Sequence, residues 1–173
     1  MKDAPRYLFL QTAIELKKEC NKFDATFIIN DNVNIAKEIN ADGVHIGKDD
    51  MSIAEARIIL GENKIIGATC NTIEDLLFAN EKGADYIGLG PYKHTTTKEK
   101  LSAILGIDGY KIIMKTMQEQ DISIPIVAIG GIKLEDVADL MMTRVNGIAV
   151  SGGILEADDI TKKVQDFLKI INK

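Results

Sequence analysis

The chain has no tryptophan, three prolines, two histidines and two cysteines in 173 residues. Cys20 and Cys70 have no metal-ligand spacing, so they read as reduced thiols in a cytosolic protein rather than as a disulfide framework or a metal knuckle. No apolar stretch approaches the roughly 20 residues that a membrane span needs, and the N-terminus has no signal-peptide core. There is no basic excess either. A net charge of −5 argues against nucleic acid or an anionic membrane as the main partner, so any anionic ligand must be held by local donors. No Ser/His/Asp or Cys/His arrangement is spaced for nucleophilic catalysis. What remains is a chain that is 46% hydrophobic, suited to one globular domain burying roughly 70% of its unfolded surface.

The apolar runs follow one plan. Strands are predicted at 25–29, 43–46, 64–68, 85–89, 124–129 and 146–150, after a first helix over 7–21. Helices are predicted between and after them at 33–40, 52–60, 73–82, 107–119, 134–142 and 159–171. Ser52 ahead of Glu55 predicts a capping box, and Thr72 with Glu74 and Asp75 marks another helix start. Continuous apolar strands such as Ile124 to Ile129 suit a parallel sheet covered on both faces. Asn40-Ala41-Asp42-Gly43, Lys82-Gly83-Ala84-Asp85 and Arg144-Val145-Asn146-Gly147 repeat one turn out of a helix and into a strand, with Gly or Asn available for a positive φ. Alternating βα units admit a doubly wound sheet or a barrel. Six strands are visible, whereas a closed barrel has eight.

In such folds ligands sit beyond the C-terminal ends of the strands. Those ends carry carboxylates and an amide in the first half of the chain: Asn30-Asp31, and Asp49-Asp50 after Gly47-Lys48. Either acid alone fits a turn or cap. Together, beyond neighbouring strands, Asp31 and Asp50 have the chemistry to hold Mg²⁺ while leaving positions for phosphate oxygens and water. Asp49 is expected to point elsewhere. The second half supplies hydroxyls, a lysine and paired glycines. The loop Gly90-Pro91-Tyr92-Lys93-His94-Thr95-Thr96-Thr97-Lys98 offers neutral donors and a mobile cation for phosphate. Gly130-Gly131 and Ser151-Gly152-Gly153 let backbone N–H groups approach an anion, with a short helix starting at the second pair. His45, inside its strand, reads as a satisfied structural histidine.

At these residues the chain resembles the thiamine phosphate synthase family over nearly its whole length. The motifs are Ile29-Asn30-Asp31, Asp42-Gly43-Val44-His45-Ile46-Gly47-Lys48-Asp49-Asp50, Gly67-Ala68-Thr69-Cys70-Asn71-Thr72, Ala84-Asp85-Tyr86-Ile87-Gly88-Leu89-Gly90-Pro91 with Thr95-Thr96-Thr97-Lys98, Pro125 to Ile132, and Gly147 to Ser151. The resemblance implies a TIM (β/α)8-barrel fold, with about six βα units in this chain forming a single incomplete barrel domain over 1–173. It implies a Mg²⁺-dependent cytoplasmic transferase of thiamine biosynthesis, which joins hydroxymethylpyrimidine diphosphate to thiazole phosphate and releases pyrophosphate. Both partners would be small molecules, and a homo-oligomer is compatible. Asp31 and Asp50 would bind the metal. Asn30, Thr69 and Lys98 would contact the pyrimidine diphosphate, with Lys98 and Asn30 catalytic. Thr95, Thr96, Thr97, Gly130, Gly131, Ser151 and Gly152 would hold the thiazole phosphate. No general base or nucleophile is needed if the diphosphate leaves first and the thiazole nitrogen traps a resonance-stabilised pyrimidine cation.

The chain departs from the family pattern in three places. The family opens with two further strands, the second ending in Gln-Leu-Arg-x-Lys, and Lys2 would be the only cation of that motif here. A chain starting at Met1 is then expected to expose two apolar sheet edges and to self-associate or pack loosely. Thr69 stands for the usual Ser and keeps the hydroxyl. Asn71 stands where the family commonly has His, which weakens the alternative of a thiazole tautomerase from the same superfamily. A non-catalytic thiazole-phosphate-binding remnant is the third reading.

Overall fold

In the computed structural model, which describes residues 4–94 and 103–172, the 17-residue helix α1 (Arg6–Lys22) precedes the first strand and is pinned through Lys17, whose Nζ donates to the carbonyls of Ile39 and Asn40 at 2.8 and 2.7 Å.

The chain divides into two units. The first runs to Thr69 and takes back Ala79–Asp85. After α1 it contains β1 (Ile28–Asn30), α2 (Val33–Glu38), β2 (Gly43–Ile46), α3 (Ile53–Leu60) and most of β3 (Ile65–Cys70). The strands run parallel, with Ile29 opposite Val44 and Val44 opposite Ile66. Ile29, Val33, Ile35, Val44, Ile46 and Ile66 form its buried core. The Ser52–Glu55 capping box expected at α3 is present in both directions.

The second unit takes Cys70–Phe78 and continues from Tyr86. It holds most of α4 (Ile73–Glu81), then β4 (Tyr86–Leu89), α5 (Gly106–Glu119), β5 (Ile126–Ile129), α6 (Val137–Met142), β6 (Gly147–Ala149), α7 (Gly152–Leu155) and α8 (Ile160–Ile171). Its strands are also parallel, Leu89 opposite Ala128 and Ala128 opposite Ile148. Leu89, Tyr110, Ile126, Ala128 and Leu140 are fully buried.

Most element boundaries fall within two residues of the sequence expectation, and the differences have local causes. Strand β1 starts at Ile28 and extends to Asn30, because pairing with His45 draws Asn30 into the ladder. Strand β5 starts only at Ile126, after Pro125, which has no N–H to give a ladder. The helix expected over 134–142 opens as a 3₁₀ turn, Leu134–Asp136, before α6.

Helix exits use left-handed residues as expected, but not always the expected ones. Asn40 (φ 53°) and Gly83 (φ 84°) fill the role, and the next N–H reaches back to the helix, Ala41 to Ala36 at 2.8 Å and Ala84 to Ala79 at 3.0 Å. In the third repeat the left-handed residue is Arg144 (φ 70°), not the Asn146 or Gly147 that the sequence offered. Asp24 and Asp121 turn two further helix ends the same way.

The repeated turn has a second function. Asp42 donates its N–H to the Phe27 carbonyl at 3.1 Å, and its carboxylate accepts the Phe27 N–H at 2.7 Å. Asp85 does the same to Ile66 (2.7 and 2.7 Å), and Asn146 to Ile126 (2.8 and 2.8 Å). Each side chain replaces a missing rung where a strand begins, so no N–H is left unpaired at those starts.

Candidate functional site

In the first unit, two acids converge at strand ends. The Asp31 N–H donates to the His45 carbonyl at 2.8 Å, which carries the β1–β2 pairing one residue past the strand. Asp31 then turns left-handed (φ 64°), a conformation tolerated better by Asp than by most residues. Asn32 follows as the cap of α2, accepting the Ile35 N–H at 2.9 Å. At the end of β2, Asp50 folds back so that its Oδ2 accepts the Gly47 N–H at 3.0 Å. Gly47, having no Cβ, makes room for the Asp50 carboxylate. A Cβ there would stand 2.6 Å from Asp50 Oδ2 and 3.8 Å from Asp31 Oδ1. Both carboxylates thus bring an oxygen to within 4 Å of one point, and Asp49 is exposed.

Two half-buried carboxylates beside Gly47 offer hard oxygen donors of the kind Mg²⁺ takes. Among the described residues no group of three or more His, Cys, Asp or Glu is placed to hold a metal. Asn30 is exposed beside Asp31 at the end of β1. On β3, Thr69 is half-buried, and its hydroxyl lies 2.9 Å from Nε2 of His45. His45, read from sequence as structural, therefore fixes the rotor of an expected substrate-binding hydroxyl. The alternation of side chains along β2 and β3 could have found it, since both lie on one face of paired strands.

In the second unit the exit of β4 is held on every side. The Tyr110 hydroxyl donates to the Leu89 carbonyl and the Asn71 amide to the Gly90 carbonyl. The Gly90 N–H donates to Cys70 O at 3.1 Å, Tyr92 N–H to Ile129 O at 2.9 Å and Lys93 N–H to Gly130 O at 3.0 Å. Burial pushes the Tyr110 phenol above its usual range, consistent with a neutral donor. Asn71 is buried, and its own N–H goes to Asp75 at 3.0 Å, so it acts as a brace here and has no acid–base role.

The glycine pair after β5 is tightly placed. Gly130 (φ 88°) and Gly131 (φ 70°) are both left-handed. A Cβ on Gly130 would lie 2.8 Å from Pro91 Cα, and one on Gly131 2.6 Å from the His94 carbonyl. The turn and the start of α7 lie together, since a Cβ on Gly153 would be 2.9 Å from the Ile132 carbonyl. Ser151 is exposed just ahead of Gly152. The expected ligands Gly130, Gly131, Ser151 and Gly152 thus belong to one corner of the second unit. Thr95, Thr96, Thr97 and Lys98, together with Lys2, lie outside the described residues.

Comparison with known proteins bears on all of this. A family model described as thiamine monophosphate synthase matches residues 1–154. A thiamine-phosphate synthase of Flavobacterium psychrophilum is 56% identical over 83% of this chain and 70% of its own length. One of Bacteroides fragilis is 49% identical over 98% of this chain and 83% of its own length. A solved thiamine phosphate pyrophosphorylase from Pyrococcus furiosus superposes with a TM-score of 0.87 at 34% identity, covering 99% of this chain and 80% of that one. The fold is α/β, of the TIM-barrel class, with six parallel strands among the described residues. With that much of its length matched at this identity, the chain belongs to the thiamine monophosphate synthase family.

Proposed function

We infer that the chain is a transferase that joins hydroxymethylpyrimidine diphosphate to thiazole phosphate and releases pyrophosphate, giving thiamine phosphate. The observation that carries the inference is the convergence of Asp31 and Asp50 over Gly47. A diphosphate leaving group demands charge neutralisation, and this pair is where a divalent cation would be held. Bound there, Mg²⁺ would offset the negative charge that develops on the departing pyrophosphate.

The chain's own residues have distinct tasks. Asp31 and Asp50 present carboxylate oxygens from two strand ends, the Asp31 N–H bonded to the His45 carbonyl and the Asp50 carboxylate to the Gly47 N–H. Asn30 offers an amide N–H to a diphosphate oxygen at the same strand end. Thr69 offers a hydroxyl whose orientation is set by His45. Lys98, by resemblance, would add a positive charge at the bridging oxygen. In the second unit, Gly130, Gly131, Ser151 and Gly152 would take the thiazole phosphate through backbone and hydroxyl donors, helped by Thr95 to Thr97. No side chain here is asked to remove a proton. The reaction needs the two substrates oriented and water kept from the pyrimidine cation until the thiazole nitrogen attacks. Both substrates are charged phosphates that do not cross a bilayer unaided, so a cytoplasmic location goes with this reading.

Incubating both substrates with Mg²⁺ and the folded protein should release pyrophosphate in step with thiamine phosphate. No release above the protein-free background would overturn the reading. Chelation of the metal should abolish release, and restoring Mg²⁺ should recover it.

A further inference from the structure

The exit of β4 and the turn after β5 are joined by one charge pair that the reading above does not use. Lys93 Nζ lies 2.5 Å from Asp136 Oδ1. The Asp136 side chain is 6% exposed, and its second oxygen accepts the Lys133 N–H at 3.0 Å, closing the 3₁₀ turn that begins α6. An asparagine would satisfy that N–H equally well, so local capping does not account for the charge. A nearly buried carboxylate needs a cation, and Lys93 supplies it. The bond to Asp136 holds the Lys93 ammonium above its ordinary pKa, and the same ammonium sits 5.3 Å from the centre of the Tyr92 ring.

The backbone of Lys93 is laid along the glycine turn. Its N–H is bonded to the Gly130 carbonyl at 3.0 Å, and its own carbonyl lies 2.9 Å from where a Gly131 Cβ would be. Pulling on the Lys93 side chain therefore moves the strand of chain against which both glycines rest. The pair ties the two flanks of the turn: Lys93 on one side, and Asp136, six residues beyond Gly130, on the other. It also cancels a negative charge that would otherwise stand beside an anion site.

We propose that the Lys93–Asp136 pair is a positioning device for the Gly130-Gly131 turn, setting how tightly the turn takes a phosphate group. The inference rests on the assignment of that turn to the thiazole phosphate. Lys93→Met leaves a lone carboxylate and should weaken the turn's hold on phosphate about tenfold. Asp136→Asn keeps the bond to Lys133 and removes the charge, and should weaken it only about twofold to threefold. The double variant Lys93→Met/Asp136→Asn should bind better than Lys93→Met alone, because the uncompensated charge is gone. Lys93→Arg should rescue.

The experiment titrates inorganic phosphate, and then thiazole phosphate, into the full chain and each variant by calorimetry, with amide hydrogen exchange at residue 93 followed in parallel. Steady-state kinetics should show KM for thiazole phosphate rising in Lys93→Met, while KM for the pyrimidine diphosphate stays within about twofold. A purely structural pair would move both constants together, and that result would overturn the proposal. Lys93→Met binding phosphate within about twofold of the unaltered protein would also overturn it. Failure of the unaltered protein to bind phosphate would reject the assignment of the turn, leaving exchange to judge the pair alone. Faster exchange of the residue-93 N–H in Lys93→Met would then support the pair as what positions the turn while overturning its part in phosphate binding, and unchanged exchange would sink both.

Discussion

At the end of β2 a side chain is held by backbone, the Asp50 carboxylate folding onto the Gly47 N–H; at the end of β5 backbone is held by backbone, Gly130 lying under Pro91 and accepting from Lys93. The first arrangement gathers carboxylate oxygens near one point, the chemistry a cation requires. The second leaves no room for a Cβ and suits a small anion approached by the main chain. The two also differ in how mutation reaches them. A carboxylate can be neutralised without touching the fold, whereas the glycine turn cannot be altered without moving its neighbours.

Substitutions at the two places should separate these properties. Asp50→Asn keeps shape and removes charge, so the Mg²⁺ concentration for half-maximal pyrophosphate release should rise at least about tenfold, with thermal stability little changed. Asp49→Asn, on the exposed neighbour, should shift it by less than about twofold. If the two substitutions prove equivalent, the metal assignment is wrong. Gly130→Ala should do the reverse. A left-handed φ and a 2.8 Å contact with Pro91 should cost about 1–3 kcal/mol of stability, read as a lower denaturation midpoint, and should weaken thiazole phosphate more than the pyrimidine diphosphate. Equal weakening of both would mean that the anion sites have been confused.

A smaller effect tests the acid site more finely. Gly47→Ala removes no ligand, but its Cβ would stand 2.6 Å from Asp50 Oδ2 and must push that carboxylate aside. The Mg²⁺ requirement should rise about threefold to tenfold, corresponding to roughly 1 kcal/mol. No change would show that the placement of Asp50 over Gly47 is irrelevant to metal use. The smallest effect is expected at the α3 cap, two residues past Asp50. Ser52→Ala removes the α3 cap and should cost about 1 kcal/mol, with no change in Mg²⁺ or phosphate dependence. The Ser52 bonds hold Glu55 below its usual pKa. The cap's contribution is therefore complete above the ordinary carboxylate range and fades as pH falls through the lowered value. The difference between the unaltered protein and Ser52→Ala should narrow in acid.

The strand–helix order, the capping box at Ser52 and the acids at strand ends were legible because each depends on neighbours in sequence. The roles of His45 and Asp136 were not. His45 looks like any histidine inside a strand until β3 brings Thr69 to its ring, 24 residues on. Asp136 reads as an ordinary helical acid, and its partner Lys93 is 43 residues away, in a loop noted for its threonines. The left-handed Arg144 was missed for another reason. Asn146 was the better candidate by propensity, but its side chain is already committed to the Ile126 N–H, so tertiary pairing decided which residue turned the corner.

The reciprocal bonds of Asp42 to Phe27, Asp85 to Ile66 and Asn146 to Ile126 all lie where strands begin, at the opposite ends from the candidate ligands. The start of each of these strands is thereby secured by residues other than the candidate ligands. Selection can rewrite the loops beyond the strand tips, trading one phosphate-bearing substrate for another, without disturbing the stitches that keep the strands in register. An engineer seeking a new specificity on this scaffold would randomise the tips and leave those three polar side chains untouched.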